Sequence, residues 1–122
     1  MTVRLKLFHA STADREASID KHGIRPGAFF GIKPYSVSSR TGAELVQSDP
    51  HAIYVTIDPL HAVDFAEEIA GEDSKYVVLY TITDLPANCK VLDDPGDQYS
   101  FKIKGCKVIW PHSKRRVAVS WL

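Results

Sequence analysis

The sequence predicts an α+β fold with a mainly antiparallel sheet and two short helices. Helical spacing is confined to two stretches within the first 70 residues, and almost everything after them is strand-like with turn residues between. The length, 122 residues, suits one domain over residues 1–122 and not two. Hydrophobic residues at 44% and charged residues at 25% are the proportions of a chain that buries a core.

Val3, Leu5 and Leu7 alternate with Arg4 and Lys6 and lead into Phe8, the period of a half-buried strand. Ser11 or Thr12 then offers a helix N-cap, with Asp14 and Glu16 in the first turn, where the helix dipole favours acid. Ala13, Ala17 and Ile19 give a short apolar face, and Gly23 stops the helix. Pro26, Gly27, Gly31 and Pro34 break the next stretch, so residues 25–50 read as a long loop. Residues 52–57 are rich in β-formers. Asp58 is an N-cap with Pro59 at the first helical position, Ala62, Phe65, Ala66, Ile69 and Ala70 recur at helical spacing, and Gly71 ends that helix. Residues 76–83 are a near-continuous apolar run, the mark of a central strand. Short strands are expected near Val91 and Leu92 and over residues 99–103, 107–110 and 116–121, with a turn at residues 94–97. Trp110 and Trp121 are expected in the core, and the basic run Lys114-Arg115-Arg116 in a solvated turn.

Composition excludes several functions. Fifteen Lys+Arg balance 15 Asp+Glu, so bulk charge does not hold the chain to nucleic acid. No apolar run is long enough to span a bilayer, and residues 1–6 lack the apolar stretch of a secretion signal, so the expectation is a cytoplasmic protein without a membrane partner. Cys89 and Cys106 form no CxxC and read as unpaired, mostly buried thiols. His9, His22, His51, His61 and His112 show neither HxxxH nor HExxH, so no metal site is expected. No phosphate loop, no GxGxxG after a strand and no nucleophile elbow occurs.

What remains is a set of residues at strand ends. His9 ends the first strand before the small residues Ala10, Ser11 and Thr12; Tyr54 lies in the second strand, Phe65 on the helix after it, and Gln98 opens a late strand. Taken singly, His9 reads as a surface or capping residue, Tyr54 as a half-buried strand residue and Phe65 as core.

Taken together they resemble a family. The run Leu7-Phe8-His9-Ala10-Ser11, then a helix ending in His22-Gly23-Ile24-Arg25-Pro26, is similar to the opening of the ADP-ribosyltransferase superfamily, in its poly(ADP-ribose) polymerase-like and rifampicin ADP-ribosyltransferase-like branch. Residues 52–56, followed by a helix carrying Ala and an aromatic, resemble its second motif, and Asp97-Gln98-Tyr99-Ser100-Phe101 stands where the third belongs. The resemblance implies a split, mainly antiparallel sheet and a mono-ADP-ribosyltransferase, a glycosyltransferase that consumes NAD, releases nicotinamide and modifies an unidentified protein, nucleic-acid or small-molecule acceptor. By the same resemblance His9 would hold a ribose hydroxyl. The backbone of Ala10 and the hydroxyl of Ser11 would hold the nicotinamide amide, and the rings of Tyr54 and Phe65 would sandwich the nicotinamide. Arg25 in the loop would contact the adenosine or pyrophosphate, as would Phe29, Phe30 and Tyr35. Ala10 replaces the family's Gly, so backbone pairing there requires a negative φ. Gln98 replaces a Glu and would serve as the third site residue without its charge; Asp93, Asp94 or Asp97 are the carboxylates that could supply it. Stand-alone domains of this family occur among bacterial toxins, phage proteins and antibiotic-modifying enzymes. Two other readings stay open: a non-catalytic module that binds NAD, ADP-ribose or a partner in the same cleft, and an RNA 2′-phosphotransferase, which would need several arginines converging on phosphate.

Overall fold

The computed structural model describes residues 6–27, 36–38, 45–47, 49–70, 74–94 and 99–119. Strand β1 (Leu7–Thr12) runs through a single 3-10 turn (Ala13–Arg15) into α1 (Glu16–His22). Two three-residue strands, β2 (Ser36–Ser38) and β3 (Leu45–Gln47), pair with each other inside the segment expected to be all loop. Three residues are too few for a period of two to stand out in sequence. Then come β4 (Ile53–Thr56), α2 (Pro59–Ile69), β5 (Tyr76–Ile82), β6 (Lys90–Asp93), β7 (Ser100–Lys104) and β8 (Ser113–Ala118).

The main sheet has six strands in the order β6-β7-β4-β1-β5-β8, and every pairing is antiparallel. The architecture is therefore α+β, as expected. The ladders are unequal. β1 and β5 are in register from Leu7↔Ile82 to Thr12↔Val77, and β5 and β8 from Tyr76↔Ala118 to Thr81↔Ser113. β4 and β7 pair from Ile53↔Ile103 to Thr56↔Ser100. Between β1 and β4 the register is a single position, Phe8↔Thr56.

Alternation along the strands gives each face its own core. On one face Leu7, Ile53, Val55, Val78, Tyr80, Ile82 and Ile103 pack with Ile19 of α1 and with Ile24, Cys106 and Ile109. Each fully buried isoleucine here contributes about 2–3 kcal/mol of transfer free energy. On the other face α2 lays Ala62, Val63 and Ala66, with Ala70 just past its end, on Val77 and Leu79. Alanines four residues apart let the helix axis come close to the strands. Its start is as read from sequence: the Asp58 carboxylate accepts from the Leu60 N–H at 3.0 Å, with Pro59 in the first turn. No helix among the described residues is long and apolar enough to cross a membrane.

Three expectations are corrected. Residues 107–110 form no strand; Ile109 makes one isolated bridge to Ile24, with N–H···O distances of 2.8 and 2.9 Å in the two directions. Gly105 at φ +87° and Pro111 bracket the segment and keep it from extending. Trp110 is 58% exposed rather than core, because its ring lies over the end of α1 at Gly23. The last strand begins at Ser113, and Lys114-Arg115-Arg116 lies inside it rather than in a turn. Gly71, the turn at 95–97 and Trp121 lie outside the described residues.

The reason a basic run can be a strand is Glu16. Its carboxylate is buried at 5% exposure, although the first turn of a short helix is ordinarily solvated. Oε1 accepts from the Tyr76 hydroxyl at 2.9 Å and lies 2.9 Å from Arg116 Nη2, while Oε2 accepts from Arg116 Nε at 3.1 Å and lies 3.1 Å from Lys114 Nζ. Lys114 also reaches Asp20 at 2.6 Å, and the Arg116 guanidinium lies 4.8 Å from the centre of the Tyr76 ring. The bond from Arg116, with those from Lys114 and Tyr76, outweighs the cost of burial and holds the Glu16 carboxyl down at about 2. Neither Ser11 nor Thr12 caps the helix as expected: Ser11 is buried in β1, and Thr12 makes no side-chain cap bond.

A carboxyl whose folded pKa lies below its unfolded value contributes stability above about pH 4.5 that disappears as pH falls toward 2. Glu16→Gln is therefore expected to lose about 2 kcal/mol at neutral pH and to show a flatter decline of stability between pH 5 and 2, measured by urea unfolding at each pH. Gly23 holds φ +77°, and a Cβ there would run into Val108 and come within 3.2 Å of the Trp110 ring. Gly23→Ala is expected to cost about 2–4 kcal/mol in the same assay.

Candidate functional site

Two of the candidate residues, His9 and Tyr54, meet where the sheet is thinnest in pairing. Beyond Phe8↔Thr56 the ladder between β1 and β4 is replaced by a side chain: His9 Nδ1 lies 2.8 Å from the Tyr54 carbonyl oxygen. A carbonyl only accepts, so Nδ1 carries the proton and Nε2 keeps its lone pair. Burial lowers the His9 pKa, the bond to the carbonyl opposes that, and the charge of Arg15 lowers it again, for a net shift downward. The imidazole is thus neutral at pH 7 and offers an acceptor at Nε2. Its ring is tilted 41° to that of Tyr80, its cross-strand partner, at 6.4 Å between centres. The Tyr80 hydroxyl is fully buried without a hydrogen-bond partner, and burial pushes its pKa up.

Register decides which side chains share a face. Phe8 opposes Thr56, so Tyr54, two residues before Thr56, lies on the α2 face, while His9 and Ser11 lie on the other face with Leu7. The structure therefore joins His9 to the backbone of Tyr54 rather than to its ring. The Tyr54 hydroxyl accepts from the Asp49 N–H at 2.6 Å. Burial pushes its pKa up, and the charges of Asp94 and Asp49 add to that, so the phenol stays protonated and presents a ring, not a base. Asp49 is itself anchored: its carboxylate accepts from the His51 N–H at 2.9 Å and pairs with Lys104 at 2.8 Å, which with that bond holds its pKa down.

The other candidates are more dispersed. Ala10 has no positive φ, so its backbone takes a conformation alanine allows, and its side chain packs against the α2 cluster. Ser11 is buried in register with Val78. Phe65 is 40% exposed on α2, outside the core expected for it alone. Arg25 donates from Nε to the His22 carbonyl at 2.8 Å, which ties it to the end of α1. Gln98, Asp97, Phe29, Phe30 and Tyr35 lie outside the described residues. Of the other two carboxylates, Asp93 opposes Phe101 and so lies on the face of Val55, whereas Asp94, whose N–H donates to the Ser100 carbonyl, comes next on the Tyr54 side.

One residue carries no signal in the sequence: Lys102, directly across from Tyr54 on β7. A lysine in a strand has no telling spacing, and only register brings it to the ring. Among the described residues no group of three or more His, Cys, Asp or Glu side chains comes together as a metal site requires.

A base kept neutral by burial has a clear titration. His9 contributes stability above about pH 6.5 that is lost progressively as pH falls toward its lowered folded value. NMR titration of the ring is expected to give a midpoint below 6.5 with the Nδ1–H tautomer; a midpoint at or above 6.5 would contradict the burial of the ring beside Tyr80 and the Tyr54 carbonyl. No protein-family model, curated protein or solved structure matches the chain.

Proposed function

We propose that the chain is a mono-ADP-ribosyltransferase that binds NAD where β1 and β4 part and passes one ADP-ribose to an acceptor. The observation that carries the reading is the seam itself: one paired position, then a neutral His9 with an acceptor nitrogen beside the backbone of Tyr54. A sheet that parts between these two strands is what an ADP-ribosyltransferase-like split would look like. Breaking the nicotinamide–ribose bond develops positive charge on the ribose, in an oxocarbenium-like state. In this reading His9 Nε2 accepts from a ribose hydroxyl and orients the sugar. The ligand passes through the seam to reach the protonated Tyr54, whose ring on the α2 face, opposite His9 and on the same side as Phe65, supplies a stacking surface for the departing ring. The carboxylate of Asp94, on the Tyr54 face, is the described group best placed to stabilise the charge, with Gln98 holding a hydroxyl. Lys102 offers a cation to the pyrophosphate. The acceptor attacks the anomeric carbon as nicotinamide leaves, so one C–N bond breaks and one bond to the acceptor forms.

The substitution of Gln98 for Glu favours a second reading, a non-catalytic module that binds NAD or ADP-ribose in the same place. Titration calorimetry with NAD separates the cases. Binding in the micromolar to millimolar range, weakened tenfold or more in Tyr54→Ala, is expected. Release of free nicotinamide by the wild type that disappears in His9→Ala selects the transferase, and binding without release selects the module. No heat with the wild type refutes both.

A further inference from the structure

Away from the seam, the far end of the β6–β7 ladder holds both cysteines. Lys90↔Lys104 is the last registered pair. Cys89 precedes it on one strand, and Gly105 and Cys106 come after it on the other. Gly105 takes φ +87°, and a Cβ on it would sit 2.8 Å from the Asn88 carbonyl oxygen, so the two segments are pressed together at this point. The Asn88 side-chain N–H₂ donates to the Gly105 carbonyl at 2.7 Å and fixes the approach. The left-handed residue turns Cys106 inward, where it is buried at 7% exposure, while Cys89 is half-buried against the same core cluster. Neither cysteine is in a disulfide, and both side chains pack on the same core cluster. The two cysteines thus flank the end of one antiparallel strand pair, next to the point where the backbone of Asn88 and Gly105 comes into contact.

We propose that Cys89 and Cys106 are an oxidisable dithiol that a hydroperoxide closes to an intramolecular disulfide. Cys89, the more accessible sulfur, attacks one peroxide oxygen, the O–O bond breaks, and the leaving hydroxide takes the Cys89 proton as water, which leaves a sulfenic acid. The Cys106 sulfur then attacks the Cys89 sulfur, the S–O bond breaks, and the released hydroxide takes the Cys106 proton as water. In sum two thiols and one hydrogen peroxide give one disulfide and two waters; the sulfurs lose two electrons and the peroxide gains them. Burial, reinforced by Cys89, pushes the Cys106 thiol up to about 12, and its 7% exposure keeps it from outside reagents, so Cys89 is the sulfur that meets the oxidant. This order, one sulfur that meets the oxidant and one that resolves it, gives a disulfide in place of overoxidation. The new bond closes a loop from residue 89 to residue 106, whose 17-residue separation is long enough to restrict the unfolded chain appreciably.

The test is mass spectrometry and thermal unfolding after treatment with hydrogen peroxide. The wild type is expected to lose about 2 Da, to show no alkylatable thiol once unfolded, and to gain roughly 10 °C in Tm, all reversed by dithiothreitol. Cys89→Ser, at the less buried position, is expected to keep an unmodified Cys106 thiol under the same treatment. Three results would overturn the proposal: addition of oxygen at Cys89 with Cys106 still alkylatable, a disulfide only between chains, or ready oxidation of Cys106 in Cys89→Ser.

Discussion

The fold turns on one buried carboxylate. A charge taken out of water costs several kcal/mol unless it is paired and hydrogen-bonded. Glu16 sits at the start of α1, and two of its partners, Lys114 and Arg116, come from β8, at the other end of the chain. α1 therefore docks only when β8 is in place, β8 lies on β5, and β5 lies on β1, from which α1 departs. The requirement is circular, and it closes over a sequence separation of 100 residues. Contacts of this range form late, after loop entropy has been overcome.

The same carboxylate explains where the sequence is legible and where it is not. The interior strand β5, the second helix with its Asp58-Pro59 start, and the stop at Gly23 are legible because each rests on neighbours in sequence: an apolar run, a cap, a left-handed residue. The start of β8 is not, because Ser-Lys-Arg-Arg has no strand character of its own. It becomes a strand by pairing with β5 and by facing Glu16 and Asp20, which lie about 100 residues earlier. Residues 107–110 err the other way, with strand-forming side chains but no neighbour for more than one bridge. Local composition describes what these segments prefer, and tertiary partners decide what they do.

For the site, residue types are legible and geometry is not. His9 and Tyr54 stand out by position along strands, but which face each occupies depends on register, and register depends on how far each ladder runs. The bond from His9 to the Tyr54 carbonyl has no sequence signature, since its acceptor is backbone. Lys102 enters only as the residue opposite Tyr54. The sulfur pair at the other end of β7 reads as two separate thiols, because a gap of 17 residues gives no hint that Gly105 folds one onto the other.

The single paired position between β1 and β4 makes the sheet a diptych. Three strands on each side are stitched by four or six registered positions per neighbour, whereas between the panels the strand pairing is Phe8↔Thr56 with one imidazole, and a shared apolar core lies beneath both. Local opening takes the line of fewest backbone bonds, so the strand edges loosen there first while the core beneath stays packed. Amide protons along that line would then exchange with solvent earlier than those inside either panel. A molecule bridging the two panels would do what the ladder does not: its binding free energy would become cohesion between them.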